Sequence, residues 1–207
     1  MGRYRGPVIR LHRREGVNLG LKGRRVTDEK YDKRLGKPPG QHGLSRQKLS
    51  DYGVQLREKQ KMKRIYGLGE RQFRVFFKRA VRMKGVTGEM LIQLLERRLD
   101  NVVFRLLFGS SRREARQMVG HGHITVDGKK VDVPSYIVKV GQKIGLRQKE
   151  ATAKRVQASL EKWKDLNVPE WLTLDREKLT AEVMRLPTKA EAGLPVEESL
   201  IVELYSK

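Results

Sequence analysis

Three consecutive runs decide how this chain folds: Leu99-Asp100-Asn101-Val102-Val103, then Ser111-Arg112-Arg113-Glu114-Ala115-Arg116-Gln117-Met118-Val119, then Gly122-His123-Ile124-Thr125-Val126-Asp127-Gly128-Lys129-Lys130. Ser111 and Glu114 have capping-box spacing, in which hydroxyl and carboxylate satisfy each other's free backbone donors. A short helix is therefore expected, with Ala115, Met118 and Val119 inward and Gly120 at its end. The period then switches to two, and Asp127-Gly128 suits a type I′ hairpin turn. A capped helix running into a hairpin points to an α+β unit.

Working outward, Glu89 to Phe108 reads as one long apolar helix carrying Leu91, Leu94, Leu95, Leu99, Val102, Val103, Leu106 and Leu107, preceded by a break at Gly85 to Gly88. Glu70 to Lys84 is amphipathic. Phe73, Phe76, Phe77, Ala80 and Val81 form its inner stripe, and Arg71, Arg74, Lys78 and Arg82 its outer face. Ser50 or Asp51 caps a helix through Leu56 to Tyr66, which Gly67 and Gly69 end. Downstream, Tyr136 to Val140 and Lys143 to Leu146 read as β structure and Ala151 to Leu166 as a helix. Trp171 to Leu174, Val183 to Leu186 and Ser199 to Tyr205 are further strand candidates. Residues 1–45 are rich in Arg, Lys, Gly and Pro and lack a sustained period, so they read as an arm that is irregular or ordered only on its partner.

The expected fold class is α+β: an N-terminal basic arm and helical domain, followed by a helix plus antiparallel-sheet domain. The arm spans 1–45, the helical domain 46–88 and the α+β domain 89–207. Residues 175–207 could either complete the sheet or return to the helical part.

The chain of 207 residues carries 46 Lys and Arg against 24 Asp and Glu, a formal net charge of +22. Residues 1–84 hold 25 basic and 7 acidic side chains, so +18 of that excess lies there. Such a surface repels itself until a polyanion neutralises it, and in a cell that polyanion is nucleic acid. Cysteine is absent, which excludes disulfides and thiolate zinc sites and fits a cytosolic setting. No stretch approaches the roughly 20 apolar residues needed to span a bilayer, so neither membrane insertion nor secretion is expected.

Arg112, Arg113 and Arg116 around one helix cap, with Lys129 and Lys130 on the hairpin, form a candidate phosphate-reading surface of guanidinium forks and helix-end amides. Arg112→Glu or Arg116→Glu is expected to weaken RNA binding with the fold intact, because both side chains lie opposite Ala115 and Met118. His121 and His123 lack a nearby carboxylate cluster, so they are expected to pack or touch RNA at the helix-to-hairpin corner rather than catalyse. Tyr4, Tyr52 and Tyr66, lying among cations, are candidates for stacking on bases. Phe73, Phe76 and Phe77 are expected to be core, and Trp163 and Trp171 structural. No nucleophile with a placed base is visible, so no catalytic residue and no small-molecule substrate are expected.

The three opening runs closely resemble the RNA-binding module named after bacterial small-subunit ribosomal protein four, placed here at about residues 97–160. That module alone also occurs in pseudouridine synthases and tyrosyl-tRNA synthetases. The flanks extend the resemblance to that ribosomal protein family along essentially the whole chain: Gly2-Arg3-Tyr4, Arg13-Arg14-Glu15-Gly16, Pro39-Gly40-Gln41-His42-Gly43, Ser50-Asp51-Tyr52-Gly53, Arg64-Ile65-Tyr66-Gly67 and Leu200-Ile201-Val202-Glu203-Leu204-Tyr205-Ser206-Lys207. The resemblance implies a cytoplasmic ribosomal protein that binds small-subunit rRNA at a multi-helix junction of its 5′ domain and nucleates assembly. It also implies contacts with ribosomal protein five and other small-subunit proteins, an influence on decoding accuracy, and a place where mRNA enters, with Arg46 and Lys48 facing mRNA.

The expected rRNA-contacting set is Arg3, Arg5, Arg13, Arg14, Lys22, Arg24, Arg57, Lys61, Arg64, Tyr66, Arg71, Arg74, Lys78, Arg112, Arg113, Arg116, His121, His123, Lys129 and Lys130. Many relatives hold zinc with four N-terminal cysteines, and the matching positions here are Ile9, His12, Val26 and Tyr31. One His cannot make a tetrahedral site, so no metal or other cofactor is expected, and the arm is expected to be held by packing and by rRNA. The rival reading is an RNA-modifying or RNA-chaperone protein using the same module. It needs a catalytic domain, and residues 148–207, with 10 basic and 11 acidic side chains, carry no such motif.

Overall fold

A computed structural model describes residues 4, 6–23, 33–41, 43, 48–147 and 150–206. In chain order its elements are α1 (Val8–Glu15), α2 (Asp51–Ile65), α3 (Glu70–Val81), α4 (Thr87–Glu96), α5 (Leu99–Arg105), α6 (Arg112–Gly120), β1 (Ile124–Val126), β2 (Lys129–Lys130), β3 (Lys143–Leu146), α7 (Glu150–Lys162), β4 (Leu172–Asp175), β5 (Thr180–Val183), α8 (Lys189–Ala192) and α9 (Glu198–Ser206). Two compact units emerge, residues 1–91 with 194–207 and residues 92–193.

In the first unit, Ser50 caps α2 by accepting the Gly53 N–H at 3.2 Å. α3 buries Phe73, Phe76, Phe77 and Ala80. Val81, expected with them, is exposed, because it lies about 100° around the helix beyond Ala80 and so off the stripe. The C-terminal run, a strand candidate by its β-branched residues, is instead helix α9. A short apolar run does not separate the two periods. The helix wins because Ile201 and Tyr205, four apart, reach the same side: Ile201 is buried, the Tyr205 ring stacks on Phe77 at 4.4 Å, and its hydroxyl donates to Glu70 at 3.0 Å.

The arm holds a further departure. α1 is a formed helix, ended by Gly16 at φ +68°, where an L side chain would be strained. Its buried face is polar, which is why periodicity missed it. His12 is 1% exposed and its Nδ1 accepts the Leu19 N–H at 3.1 Å. Glu15, also buried, accepts from Arg57 at 3.3 Å and from Arg64.

Burial, with Lys22 nearby, lowers the His12 pKa from 6.5 to about 4. Between those values the unfolded chain binds a proton that the folded one refuses, so stability is full above about pH 6.5 and falls as pH drops toward 4. The shift corresponds to about 3 kcal/mol. NMR titration of the His12 ring should find it neutral at pH 5.5; a midpoint near the model-peptide value would remove this contribution.

In the second unit the sheet runs β2-β1-β3-β5-β4, antiparallel throughout, with Thr125 opposite Lys130 and Gly145, and Lys143 opposite Glu182. Its inner face packs on α5, α6 and α7 through Leu99, Val103, Phe108, Val119, Ile124, Ile144, Val156 and Trp171. Asp127 at φ +50° and Gly128 at φ +77° make the expected type I′ turn.

The long helix expected over 89–108 is broken at Arg98, whose backbone is extended (φ −66°, ψ 135°) and bridges Ile137. Tyr136 to Val140 is consequently no strand beyond that single bridge. Its backbone is spent on the break: Tyr136 O accepts the Leu99 N–H at 2.8 Å, Pro134 O the Asp100 N–H at 3.2 Å, and the Val138 N–H donates to Arg97 O at 2.9 Å. These partners satisfy the unpaired donors of a new helix start. The strand candidate at Val183 to Leu186 lies earlier, at Thr180–Val183, and Leu186 is exposed.

Candidate nucleic-acid interface

In the second unit the surface is built from buried acids outward. Asp100 is 5% exposed and faces Arg98, which is 0% exposed, through two bonds: Arg98 Nε to Oδ1 at 3.1 Å and Nη2 to Oδ2 at 2.8 Å. Its Oδ2 also accepts Arg116 Nη1 at 2.6 Å. Next to it, buried Asn101 donates to Glu96 at 2.9 Å and accepts Arg112 Nε at 2.9 Å. The Arg112 guanidinium lies over the Phe104 ring at 4.5 Å. Arg105 forks onto Glu96 at 2.8 and 2.9 Å. Such charge-assisted forks fix side-chain direction as well as charge.

Arg112 and Arg116 are therefore tied into the fold, which corrects the expectation that either could be reversed to Glu with the fold intact. Glu at 116 would set two carboxylates against each other at a buried site. Arg113, between them, is exposed.

The helix-end expectation also changes. Ser111 Oγ accepts the Glu114 N–H at 3.2 Å as foreseen, but the Glu114 carboxylate reaches Ser110, accepting its N–H at 2.8 Å and its hydroxyl at 2.5 Å, and pairs with Arg155. Burial opposes ionisation of Glu114, yet the Ser110 and Arg155 bonds hold its carboxyl below the usual range. The amino end of α6 thus carries its own anion. The cation-bearing hairpin stands at the opposite end, where the chain turns at His121, Gly122 and His123.

At that corner Gly122 has φ +69°, and a Cβ there would sit 2.3 Å from Lys130 Cε. Lys130 lays its stem across the glycine and pairs with Asp132 at 3.3 Å. His121 is exposed; His123 is half-buried, with Nδ1 3.3 Å from Thr152 Oγ1. Lys129 and Lys130 are both exposed. The exposed cations at this corner include Lys129 and Lys130, with His121 beside them and Arg147, whose backbone N–H donates to His123 O at 2.8 Å; Arg113 is exposed at the other end of α6.

In the first unit, Arg71, Arg74 and Lys78 are exposed along α3, joined by Arg79 and Arg82, opposite the buried phenylalanines. Arg14, Lys22 and Lys48 are exposed. Arg13 donates to Lys37 O at 2.8 Å and Pro38 O at 3.3 Å. Lys61 pairs with Glu58 at 2.5 Å, while Arg57 and Arg64 hold Glu15. These three cations are half-buried anchors as well as surface charge.

Tyr66 is 5% exposed, so its ring is not available for stacking, whereas Tyr4 and Tyr52 are exposed. Arg3, Arg5, Arg24 and Arg46, like Val26, Tyr31 and His42, lie outside the described residues. Among the described residues no group of three or more His, Cys, Asp or Glu is placed to hold a metal ion. The residues that sequence reasoning missed are the positioning ones: Glu15, Glu96, Asp100 and Asn101. Asp100 and Asn101 stood in the first quoted run, and a polar pair inside an apolar run was the available signal.

Comparison with known proteins gives two matches along the chain. Residues 3–96 match the family described as ribosomal protein S4/S9 N-terminal domain, and residues 97–144 match the S4 domain. The small ribosomal subunit protein uS4 of Thermoanaerobacter sp. (strain X514) is 55% identical over 208 residues, covering all of both chains. That of Geotalea daltonii is likewise 55% identical over 208 residues, and that of Desulforapulum autotrophicum 53% over 209, again end to end.

Proposed function

The chain belongs to the small ribosomal subunit protein uS4 family, and from that premise we propose that it is a structural constituent of the small subunit in the cytoplasmic ribosome, binding rRNA through the exposed cations of its two units. The observation that carries this is the division of labour among its arginines. Buried acids fix Arg98, Arg105 and Arg116 and the buried Asn101 amide fixes Arg112, while Arg71, Arg74, Lys78, Arg113, Lys129 and Lys130 stand outward on helix and hairpin surfaces. Phosphate contacts from such a frame fix the register of a folded RNA, and backbone shape dominates because the A-form major groove excludes side chains.

The role is structural rather than enzymatic. In finer detail, we place its rRNA site at a multi-helix junction of the 5′ domain, bound early enough to nucleate assembly. Ribosomal protein five and other small-subunit proteins are the proposed protein neighbours, with an effect on decoding accuracy. Exposed Lys48, together with Arg46, is assigned to the mRNA path. No membrane contact and no small-molecule substrate belong to this reading.

Filter binding to small-subunit rRNA across a salt series tests the mechanism. If about eight phosphates are neutralised, log affinity should fall with log salt at a slope of roughly −6. A flat salt dependence, or equal affinity for bulk tRNA of the same charge, would contradict it.

A further inference from the structure

Lys129 and Lys130 are the cations of the β1–β2 hairpin. The turn from Asp127 to Lys130 is exposed at every position, so apolar burial does not hold the turn itself, although the Lys130 stem crosses Gly122 and its ammonium pairs with Asp132 at 3.3 Å. Polar bonds converge on one residue instead. The Asp127 carboxylate accepts the Lys143 N–H at 2.9 Å through Oδ1 and Gln142 Nε2 at 2.9 Å through Oδ2, while the Asp127 N–H donates to Lys143 O at 2.8 Å.

Gln142 is itself held. Its Oε1 accepts the Lys139 N–H at 2.9 Å, and its Nε2 lies 3.0 Å from the half-buried Tyr136 hydroxyl, to which it donates. Asp127 keeps φ at +50°, a conformation that costs a non-glycine residue free energy unless side-chain bonds over-determine it.

We infer that Asp127 is a positioning residue for RNA binding: through Lys143 and Gln142 it clamps the hairpin turn to β3 and so fixes the direction of Lys129 and Lys130. The inference rests on the reading of this hairpin as part of the rRNA interface. An acidic residue beside two phosphate-binding lysines otherwise opposes binding, since it repels the same phosphates. Its presence is accounted for by the two bonds it accepts.

Binding of the full chain to small-subunit rRNA, with thermal midpoints measured in parallel, tests this. Asp127→Ala should lose about tenfold in affinity, with a salt slope shallower by about one to two; its midpoint should fall modestly, since Ala keeps the positive φ without the bonds, so affinity is read at a temperature where every variant is folded. Asp127→Asn retains an acceptor for the Lys143 N–H and tolerates positive φ, so it should bind within about threefold of the parent. Gln142→Ala, which removes half of the clamp from the other side, should show a smaller loss in the same direction.

In a Lys129→Ala, Lys130→Ala background, Asp127→Ala should cost nothing further, because the residue acts through those lysines. If the lysine pair itself proves neutral for affinity, the hairpin is no interface and both readings fall. If the lysines matter but Asp127→Ala is neutral, or its loss adds fully to theirs, the positioning role alone is overturned.

Discussion

Asp100→Ala should unfold residues 92–193 or bring them close to it. The carboxylate is the bidentate partner of Arg98, a guanidinium with no measurable exposure, and it receives Arg116 as well. Removing one member of a buried pair leaves a charge stranded in a poorly polarisable surrounding, which costs about 3–5 kcal/mol. Against a typical total of roughly 5–15 kcal/mol this is a large fraction.

The site also sits where the chain abandons one helix and starts another, so a displaced Arg98 would take the start of α5 with it. Asp100→Asn keeps the volume and one acceptor and should lose less. Denaturant unfolding followed by amide exchange of α5 and the sheet measures both variants. A loss below about 1 kcal/mol for the alanine variant would mean that water replaces the carboxylate and that the pair is not a structural centre.

The second large effect concerns binding with the fold held constant. Arg113→Glu, Lys129→Glu and Lys130→Glu combined change only exposed side chains, so thermal stability should stay near that of the parent. On the proposed interface each reversal removes a phosphate contact and adds a repulsion. Together they should weaken rRNA binding by at least a hundredfold, about 2.7 kcal/mol, and flatten the salt slope by about two. Equal affinity in the parent and the triple variant would take both the exposed face of α6 at Arg113 and the hairpin out of the interface.

The contrast between these two predictions marks what the sequence could and could not disclose. The hairpin was legible because Asp127-Gly128 specifies a turn whose φ values other residue pairs rarely reach. The α3 stripe was legible because Phe73, Phe76, Phe77 and Ala80 recur at helical spacing. What escaped were features made by long-range pairing. α1 buries His12 and Glu15 rather than apolar residues, and partners distant in sequence, among them Arg57, Arg64 and the Leu19 N–H, make that burial tolerable.

The break at Arg98 likewise depends on backbone carbonyls from Pro134 and Tyr136, more than thirty positions away in sequence. Propensity within residues 89–108 favoured one uninterrupted helix. The arginines were found as a patch, but their different duties were not. Arg112 and Arg113 are neighbours in sequence with different exposure, and nothing local distinguishes the half-buried one that grips Asn101 from the exposed one.

The exposed cations of each unit are proposed to match one folded region of small-subunit rRNA. Hydroxyl-radical footprinting of that rRNA, with the parent and the triple variant at matched occupancy, tests it most directly. A compact set of protections is expected, with a discrete subset lost in the triple variant. Diffuse protection of any transcript offered, weakened everywhere equally by the triple variant, would contradict it.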